Sequence, residues 1–175
     1  MTKRTFTLNV NGGSYEIYAE PNRCLHDAIR EDVGFTGVKE GCGTGDCGAC
    51  TVWLDGEPVT SCLMLVGEGE GIAITTIEGL IEGDDLHPLQ NAFIEHGALQ
   101  CGYCIPGVLL SAAALLKSNP SPTANEIRQG IAGNICRCTG YTKIIEAIQA
   151  AAANPAAYST TRKASTQAAA PRAGE

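Results

Sequence analysis

The chain has 175 residues, of which 44% are hydrophobic and 18% are charged, so the composition excludes a wholly disordered protein. It has 19 acidic and 12 basic residues, a net charge of −7, and only 5% aromatic residues, which argues against nucleic-acid binding. The number of cysteines, nine, is odd, so intramolecular disulfides cannot account for all of them.

The N-terminus carries no recognisable export signal. Residues Thr5–Val10 alternate polar and apolar side chains, whereas a secretory signal needs an apolar run of about 7–15 residues. The longest apolar stretches, Val108–Leu116 and Ile144–Ala153, are shorter than the roughly 20 residues of a membrane-spanning helix. We therefore expect a cytoplasmic protein, in which patterned cysteines more often bind metal or do redox chemistry than form disulfides.

The first 80 residues predict a small mixed β-sheet packed against one helix. The predicted strands are Thr5–Val10, Ser14–Tyr18, Thr51–Leu54, Pro58–Met64 and Ile72–Ile77, and the predicted helix is Cys24–Asp32. Turn signals at Asn11-Gly12-Gly13 and Asp55-Gly56 separate strands that we expect to form hairpins. A glycine-rich loop, Gly41–Gly48, lies between the helix and the third strand.

Residues 81–154 predict an all-α domain, a four-helix bundle, so the fold class is α+β. The predicted helices are one capped by Asp84 or Asp85 that carries Leu86, Leu89 and Phe93, one from Pro106 to about Lys117, one after the capping box Thr123-x-x-Glu126, and Thr142–Ala153. We place the domain boundary near Gly79–Gly83. Residues 155–175 contain no Leu, Ile, Val or Phe, and we expect them to form a flexible C-terminal tail.

Four cysteines of the first domain follow the spacing C-x4-C-x2-C-x11-C, which is typical of a plant-type [2Fe–2S] ferredoxin loop. They are Cys42, Cys47, Cys50 and Cys62. The surrounding glycines allow the chain to wrap closely around a cluster, with backbone N–H groups directed at its sulfur atoms. A structural zinc ion is the alternative, although zinc sites usually combine two short C-x2–4-C pairs.

The helical domain carries a second group of cysteines, a C-x2-C pair followed after 31 residues by C-x-C. They are Cys101, Cys104, Cys136 and Cys138. Zinc, a disulfide or an iron–sulfur cluster is compatible with the first pair, and the C-x-C pair favours the cluster. We expect the two turns that carry these pairs to meet at one end of the bundle. The ninth cysteine, Cys24, is interpreted as a small buried hydrophobic residue.

With both groups in view, the chain resembles the small iron–sulfur subunit of the molybdenum hydroxylases, the xanthine oxidase family, whose members include carbon monoxide dehydrogenase and quinoline oxidoreductase. The resemblance extends from about Thr5 to Ala153, and Ile105 replaces the threonine that is usual at its position. The motifs that carry it are Gly37–Gly43, Gly48–Val52, Gln100–Gly107 and Gly133–Tyr141.

The resemblance implies a plant-ferredoxin-like β-grasp domain followed by the helical bundle. It implies that Cys42, Cys47, Cys50 and Cys62 hold a [2Fe–2S] cluster nearer to a flavin, and that Cys101, Cys104, Cys136 and Cys138 hold one nearer to molybdenum. It also implies that Gln100 contacts the pterin of a molybdenum cofactor. The implied partners are a large molybdenum-cofactor subunit and a medium FAD subunit, and the implied larger assembly is a dimer of heterotrimers.

On this interpretation the chain relays electrons from the molybdenum cofactor through two [2Fe–2S] clusters towards FAD or an external acceptor. It performs no substrate chemistry itself, and its scattered histidines, His26, His87 and His96, are not expected to be catalytic. The alternatives are a freestanding two-cluster ferredoxin, which the acidic charge suits, and a zinc-stabilised interaction module. A fragment of a longer single-chain enzyme is a further alternative, which we disfavour because the alanine-rich end at Glu175 resembles a natural terminus.

Overall fold

The structure is a computed structural model that describes residues 2–81 and 85–158. Its first part contains five strands, β1 (Arg4–Val10), β2 (Gly13–Ala19), β3 (Thr51–Leu54), β4 (Glu57–Thr60) and β5 (Ala73–Thr75). They form one sheet of order β2-β1-β5-β3-β4. Strands β1 and β5 run parallel, and the other neighbouring strands run antiparallel. The predicted mixed sheet is confirmed.

Both predicted hairpin turns are present. Asn11 and Gly12 join β1 to β2 with φ values of 51° and 78°, and Asp55 and Gly56 join β3 to β4 with 49° and 89°. Two consecutive residues with positive φ give the turn whose twist matches that of the adjoining strands. The Asn-Gly and Asp-Gly pairs are favoured there because these residues tolerate that backbone conformation.

The strand predicted at Pro58–Met64 is too long at its C-terminal end. The chain leaves the sheet after Thr60 and forms a 3-10 turn, Ser61–Leu63, which contains Cys62. The hydroxyl of Ser61 donates a hydrogen bond to the carbonyl oxygen of Cys50 at 2.7 Å. This contact between residues distant in sequence fixes the turn, and a pattern of alternating side chains does not reveal it.

The helix predicted at Cys24–Asp32 is also irregular. It begins as α1 (Leu25–Asp27) and continues as a wider π-type turn, Ala28–Val33, which Gly34 ends with a φ of 94°. Its buried side chains pack against the sheet. The core of this part consists mainly of Phe6, Leu8, Val10, Ile17, Leu25, Ile29, Val52, Val66 and Ile74.

The second part is helical. Its elements are α2 (Pro88–Glu95), α3 (Ile105–Ser118), α4 (Ala124–Gly130), α5 (Thr142–Ala153) and α6 (Pro155–Tyr158). The bounds of α5 match the prediction, and Thr123 caps α4 by accepting a hydrogen bond from the backbone N–H of Glu126. Within the described residues, no helix is both long and apolar enough to cross a membrane.

The predicted start of α2 is wrong. The cap is His87 rather than Asp85, and Asp84 lies outside the described residues. His87 is extended, its Nδ1 accepts a hydrogen bond from the N–H of Leu89 at 3.2 Å, and Pro88 follows as the first helical residue. Because a residue before proline is disfavoured in the helical conformation, the helix cannot begin earlier.

Of the predicted tail, residues 155–175, the structure describes only the first four residues. Residues 155–158 form α6, which lies beside α2 and α5, and the rest of the tail is outside the described residues.

The helical part has a hydrophobic core of its own, built around Leu89, Phe93, Val108, Leu110, Ile127, Ile144 and Ile148. Trp53 of β3 packs against this core and donates a hydrogen bond from Nε1 to the carbonyl oxygen of Leu110 at 3.0 Å. The sheet and the helices are therefore in direct contact, and the cysteine-bearing loops of both parts lie where they meet.

Candidate metal centres

Three cysteines of the first group lie on a tightly folded loop between α1 and β3, and the fourth, Cys62, lies in the 3-10 turn after β4. Gly43, Gly45 and Gly48 have φ values of 67°, 82° and 67°, a conformation that residues with side chains rarely adopt. A Cβ atom at Gly41 would lie 2.7 Å from the Sγ of Cys47. The glycines predicted to let the chain wrap a metal site are therefore required by both backbone conformation and space.

The four thiols of the first cysteine group interact with one another. Cys42 and Cys47 form one hydrogen-bonded pair, Cys50 and Cys62 form another, and Cys62 also interacts electrostatically with Cys42 and Cys47. Cys50 and Cys62 are buried, whereas Cys42 is exposed. The structure thus brings together all four residues that the sequence singled out.

The environments of these thiols differ. Hydrogen bonds from Thr44 lower the pKa of Cys42 to about 6, with a further contribution from Cys47. Burial raises the pKa of Cys62 to about 11, and the adjacent Cys50 thiol adds to the rise because two thiolates repel each other. Four thiolates at this site would repel one another, and a bound cation would offset that repulsion.

The second group lies at one end of the helical part. Cys101 and Cys104 precede α3, and Cys136 and Cys138 lie between α4 and α5, so the two turns meet as predicted. The Sγ atoms of Cys101 and Cys138 are 3.6 Å apart. That distance is far longer than a disulfide bond of about 2.05 Å, and the thiols of Cys104 and Cys136 also form a hydrogen bond.

The second group also combines a cysteine whose pKa is raised with one whose pKa is lowered. Burial raises the pKa of Cys104 to about 12, and the thiol of Cys136 raises it further. Burial also acts to raise the pKa of Cys136, but hydrogen bonds with Thr139 outweigh it and lower the pKa. The backbone N–H of Cys136 is held by the hydroxyl of Tyr141 at 2.7 Å, which fixes this turn.

The two loops are joined directly. The backbone N–H of Ile135, one residue before Cys136, donates a hydrogen bond to the carbonyl oxygen of Cys47 at 2.9 Å. The side-chain amide of the buried Asn134 donates to the carbonyl oxygen of Gly48 at 2.9 Å. Sequence reasoning assigned no role to Asn134, although it lies in one of the motifs that carry the resemblance.

The junction between the loops is packed backbone against backbone. A Cβ atom at Gly48 would overlap the carbonyl oxygen of Gly133, and one at Gly107 would overlap the carbonyl oxygen of Gly48. Glycine is therefore required at both positions, because the two segments of backbone approach each other too closely for a side chain.

The donor sets fit [2Fe–2S] clusters. Each group offers four sulfur donors on short, tight loops, and the N–H of Thr44 lies 3.4 Å from the Sγ of Cys42, as expected for backbone donors around cluster sulfur. Where cysteine thiolates would bind iron, the metal charge would offset the burial, and the weaker repulsion from neighbouring thiols, that raise the pKa values of Cys62 and Cys104.

The remaining residues singled out from the sequence lie outside these groups. Gln100 is exposed next to Cys101, between the exposed side chains of Leu99 and Tyr103. Cys24 is half-buried rather than buried, because it precedes α1 at the surface end of that helix. His26 is buried, with 4% of its surface exposed.

Comparison with known proteins assigns both parts to sequence families. Residues 8–74 match the family described as "2Fe-2S iron-sulfur cluster binding domain", and residues 76–149 match the family described as "[2Fe-2S] binding domain". The small FeS subunit of nicotinate dehydrogenase from Eubacterium barkeri is 52% identical over 149 residues, which cover 85% of this chain and 95% of that subunit. The chain belongs to the small iron–sulfur subunits of the molybdenum hydroxylases.

Other members of this family are similar over comparable lengths. The small subunit of nicotine 6-hydroxylase from Paenarthrobacter nicotinovorans is 48% identical over 81% of this chain and 85% of that protein. Quinoline 2-oxidoreductase from Pseudomonas putida 86 superposes with a TM-score of 0.85 and 46% identity over 90% of this chain and 97% of that chain. Aldehyde oxidoreductase from Desulfovibrio desulfuricans superposes with a TM-score of 0.83, and the match covers 18% of that longer chain.

Family membership establishes the general role. The chain is the iron–sulfur, electron-transfer subunit of a multisubunit oxidoreductase, and it contains two [2Fe–2S]-binding domains, as the sequence predicted. A structural zinc module is thereby ruled out as its function.

The junction between the loops can be tested by substituting Gly48. Gly48→Ala and the control Gly71→Ala place alanine at similar φ values, 67° and 78°, but only Gly48 lacks space for a Cβ. We expect Gly48→Ala to lower the free energy of unfolding by about 1–3 kcal/mol more than the control, because backbone atoms must separate. Urea unfolding followed by circular dichroism measures the difference, and equal losses would contradict the steric argument.

The pKa of Cys42 can be tested on the cluster-free chain. We expect iodoacetamide to modify Cys42 with a rate that rises through about pH 6, because the thiolate predominates above the pKa and is the reactive form. Cys62 and Cys104, whose pKa values are about 11 and 12, should react only slowly at neutral pH.

Peptide mass spectrometry measures the three modification rates, and circular dichroism confirms that the fold is retained. Thr44→Val should move the midpoint for Cys42 to higher pH, because it removes a hydrogen bond that lowers the pKa. If all three cysteines reacted with the same pH profile, the predicted differences between their pKa values would be wrong.

Proposed function

We propose that this chain relays electrons from a molybdenum cofactor on one partner towards FAD on another partner, or towards an external acceptor. The observation that carries the proposal is the direct hydrogen bond between the Cys47 carbonyl and the N–H of Ile135, which joins the two cysteine-bearing loops. When bound, [2Fe–2S] clusters supply centres that accept and release one electron at a time. The chain's own task is to hold two such centres in a fixed relation.

We also propose the ligand sets. Cys42, Cys47, Cys50 and Cys62 bind the cluster nearer to the flavin, and Cys101, Cys104, Cys136 and Cys138 bind the cluster nearer to molybdenum. Two points support these sets: the thiols within each group contact one another, and a bound cation would offset the repulsion among their thiolates. Cys24 does not belong to either set in this proposal.

Gln100 is proposed to contact the pterin of the molybdenum cofactor. Its amide is exposed, and it precedes the first cysteine of the helical group. A carboxamide offers both a donor and an acceptor, which suits hydrogen bonding to a heterocycle such as a pterin. Leu99 and Tyr103, which are 41% and 49% exposed on either side, supply apolar surface for a partner subunit.

The proposed partners are a large molybdenum-cofactor subunit and a medium FAD subunit in a cytoplasmic complex, with a dimer of heterotrimers as the larger assembly. Exposed apolar side chains occur beside both cysteine groups, which supports two docking faces. Leu63 and Leu65 lie beside the first group, and Leu99, Tyr103 and Ile135 lie beside the second. Large exposed apolar side chains clustered in this way are typical of protein interfaces.

The finer architecture belongs to the same proposal. A β-grasp domain over residues 1–80 is supported by two features of the sheet. Strands β1 and β5 pair in parallel inside an otherwise antiparallel sheet, and α1 packs against that sheet. The shared core of α2, α3, α4 and α5 supports a four-helix bundle over residues 81–154, followed by a tail at 155–175.

The relay can be distinguished from a freestanding ferredoxin by what the chain binds. We expect the tagged full chain, gently purified from its native source, to elute well above its own mass of 18.2 kDa together with subunits that contain molybdenum and flavin. Size exclusion, metal analysis and flavin fluorescence measure this. A cluster-loaded chain that elutes alone from cells in which it is active would instead support a soluble carrier, to which the net charge of −7 is suited.

The ligand sets can be tested with Cys138→Ser. We expect this variant to lose the EPR signal of one reduced cluster and to fall from about four to about two irons per chain, because a thiolate ligand is missing. Cys24→Ser is the matched control and should keep both signals. Retention of both signals in Cys138→Ser would show that the assignment of this cysteine is wrong.

A further inference from the structure

A third group of metal-ligating side chains lies at the start of α1, outside the two cysteine groups already described. The candidate ligand atoms of Cys24, His26 and Asp27 all lie within 4.8 Å of one another. Glu40, from the loop that leads to Cys42, adds a carboxylate whose Oε2 is 3.6 Å from the Nε2 of His26. Three potential ligands therefore lie together at the start of α1, and a fourth, from Glu40, approaches His26 from a second segment of the chain.

His26 is the residue that points to a ligand. Only 4% of its surface is exposed, and neither ring nitrogen has a hydrogen-bond partner among the described residues. Buried polar atoms without partners are uncommon, and each calls for an explanation. Two carboxylate oxygens lie beside Nε2, that of Asp27 at 3.2 Å and that of Glu40 at 3.6 Å, but neither is aligned as a hydrogen-bond acceptor.

The distances from Nε2 of His26 to the two carboxylate oxygens match those between ligands of one cation. Zinc binds nitrogen and oxygen ligands at about 2.0–2.2 Å, so two such ligands in a tetrahedral site lie about 3.3–3.6 Å apart. A simple ion pair between a protonated His26 and a carboxylate would instead direct the N–H at an oxygen. The misaligned but close oxygens of Asp27 and Glu40 therefore favour a shared metal ion.

We propose that Cys24, His26, Asp27 and Glu40 bind one divalent transition-metal ion, with zinc as the preferred ion. One thiolate, one imidazole and two carboxylates form a mixed donor set that suits zinc. A bound dication also offsets the charge of the two carboxylates that lie beside His26.

The ion would fasten both ends of the first cysteine group to α1. Glu40 lies two residues before Cys42, and the backbone of Cys24 pairs with that of Leu65, three residues after Cys62. The side chains of Asp27 and Glu40 are 38% and 58% exposed, so an ion can enter from the solvent side. The role is structural, and it is separate from the eight cysteines proposed to bind iron.

The experiment is zinc binding to the full-length chain, in its complex if it purifies as one, with the iron content first confirmed. After treatment with a chelator that leaves the iron in place, equilibrium dialysis against Zn²⁺ should show about one zinc per chain. X-ray absorption at the zinc edge should show one sulfur neighbour and otherwise nitrogen or oxygen. Cys24→Ser and His26→Leu should each weaken zinc binding by about a hundredfold or more.

His96→Asn, which removes a histidine from the helical part, is the control and should bind zinc like the unaltered chain. The visible spectrum and EPR signals confirm that each variant is folded with its clusters, and Cys24→Ser, a nearly isosteric change, serves if His26→Leu does not fold. Unchanged binding in both variants, no bound zinc in the unaltered chain, or a zinc surrounded by four sulfurs would each overturn the proposal. The last result would show that zinc had replaced iron in a cysteine group.

Discussion

The hydrogen-bonded contact between the two cysteine-bearing loops is the constraint on which the rest of the structure depends. The sheet and the helices have separate hydrophobic cores, so burial alone would stabilise each part without fixing the distance between their metal sites. The bonds from Ile135 to Cys47 and from Asn134 to Gly48 fix that distance at the loops themselves. Because backbone atoms form most of this contact, it has little freedom to shift, and Trp53 reinforces it from the far side through Leu110.

The two cysteine groups have similar electrostatic environments, although one lies beside a sheet and the other between helices. Each combines a buried thiol whose pKa is raised, Cys62 in one and Cys104 in the other, with exposed thiols, Cys42 in one and Cys101 and Cys138 in the other. Burial excludes water from one side of each site, and exposure on the other side leaves a face for a partner. An electron-transfer subunit needs both properties, because its centres must be protected and must also lie close to its neighbours' cofactors.

Much of this architecture could be predicted because it is encoded locally. The bounds of α5 follow from the spacing of its isoleucines, the cap of α4 from Thr123 and Glu126, and the hairpins from Asn-Gly and Asp-Gly pairs. The spacing of the first cysteine group indicated its chemistry directly, whereas the second group was interpreted with the help of the family resemblance. What the sequence did not reveal depends on contacts between distant residues, such as Ser61 with Cys50, the burial of Asn134 between two loops, and the approach of Glu40 to His26. The early end of β4 follows from the same contact of Ser61 with Cys50, whereas the cap of α2 by His87 has a local cause, the proline that follows it.

The bare backbone contact of Gly48 with Gly133 and Gly107 has a consequence for protein engineering. Backbone atoms meet backbone atoms in this contact, and the adjoining side chain of Asn134 is itself hydrogen-bonded to Gly48, so little can repack to admit a larger residue. Chimaeras that exchange the ferredoxin-like half between relatives must therefore carry the matching glycines on both sides of this contact. Exchanges that keep Gly48 and Gly107 leave this contact intact, so they are the ones expected to preserve the spacing of the two cysteine groups.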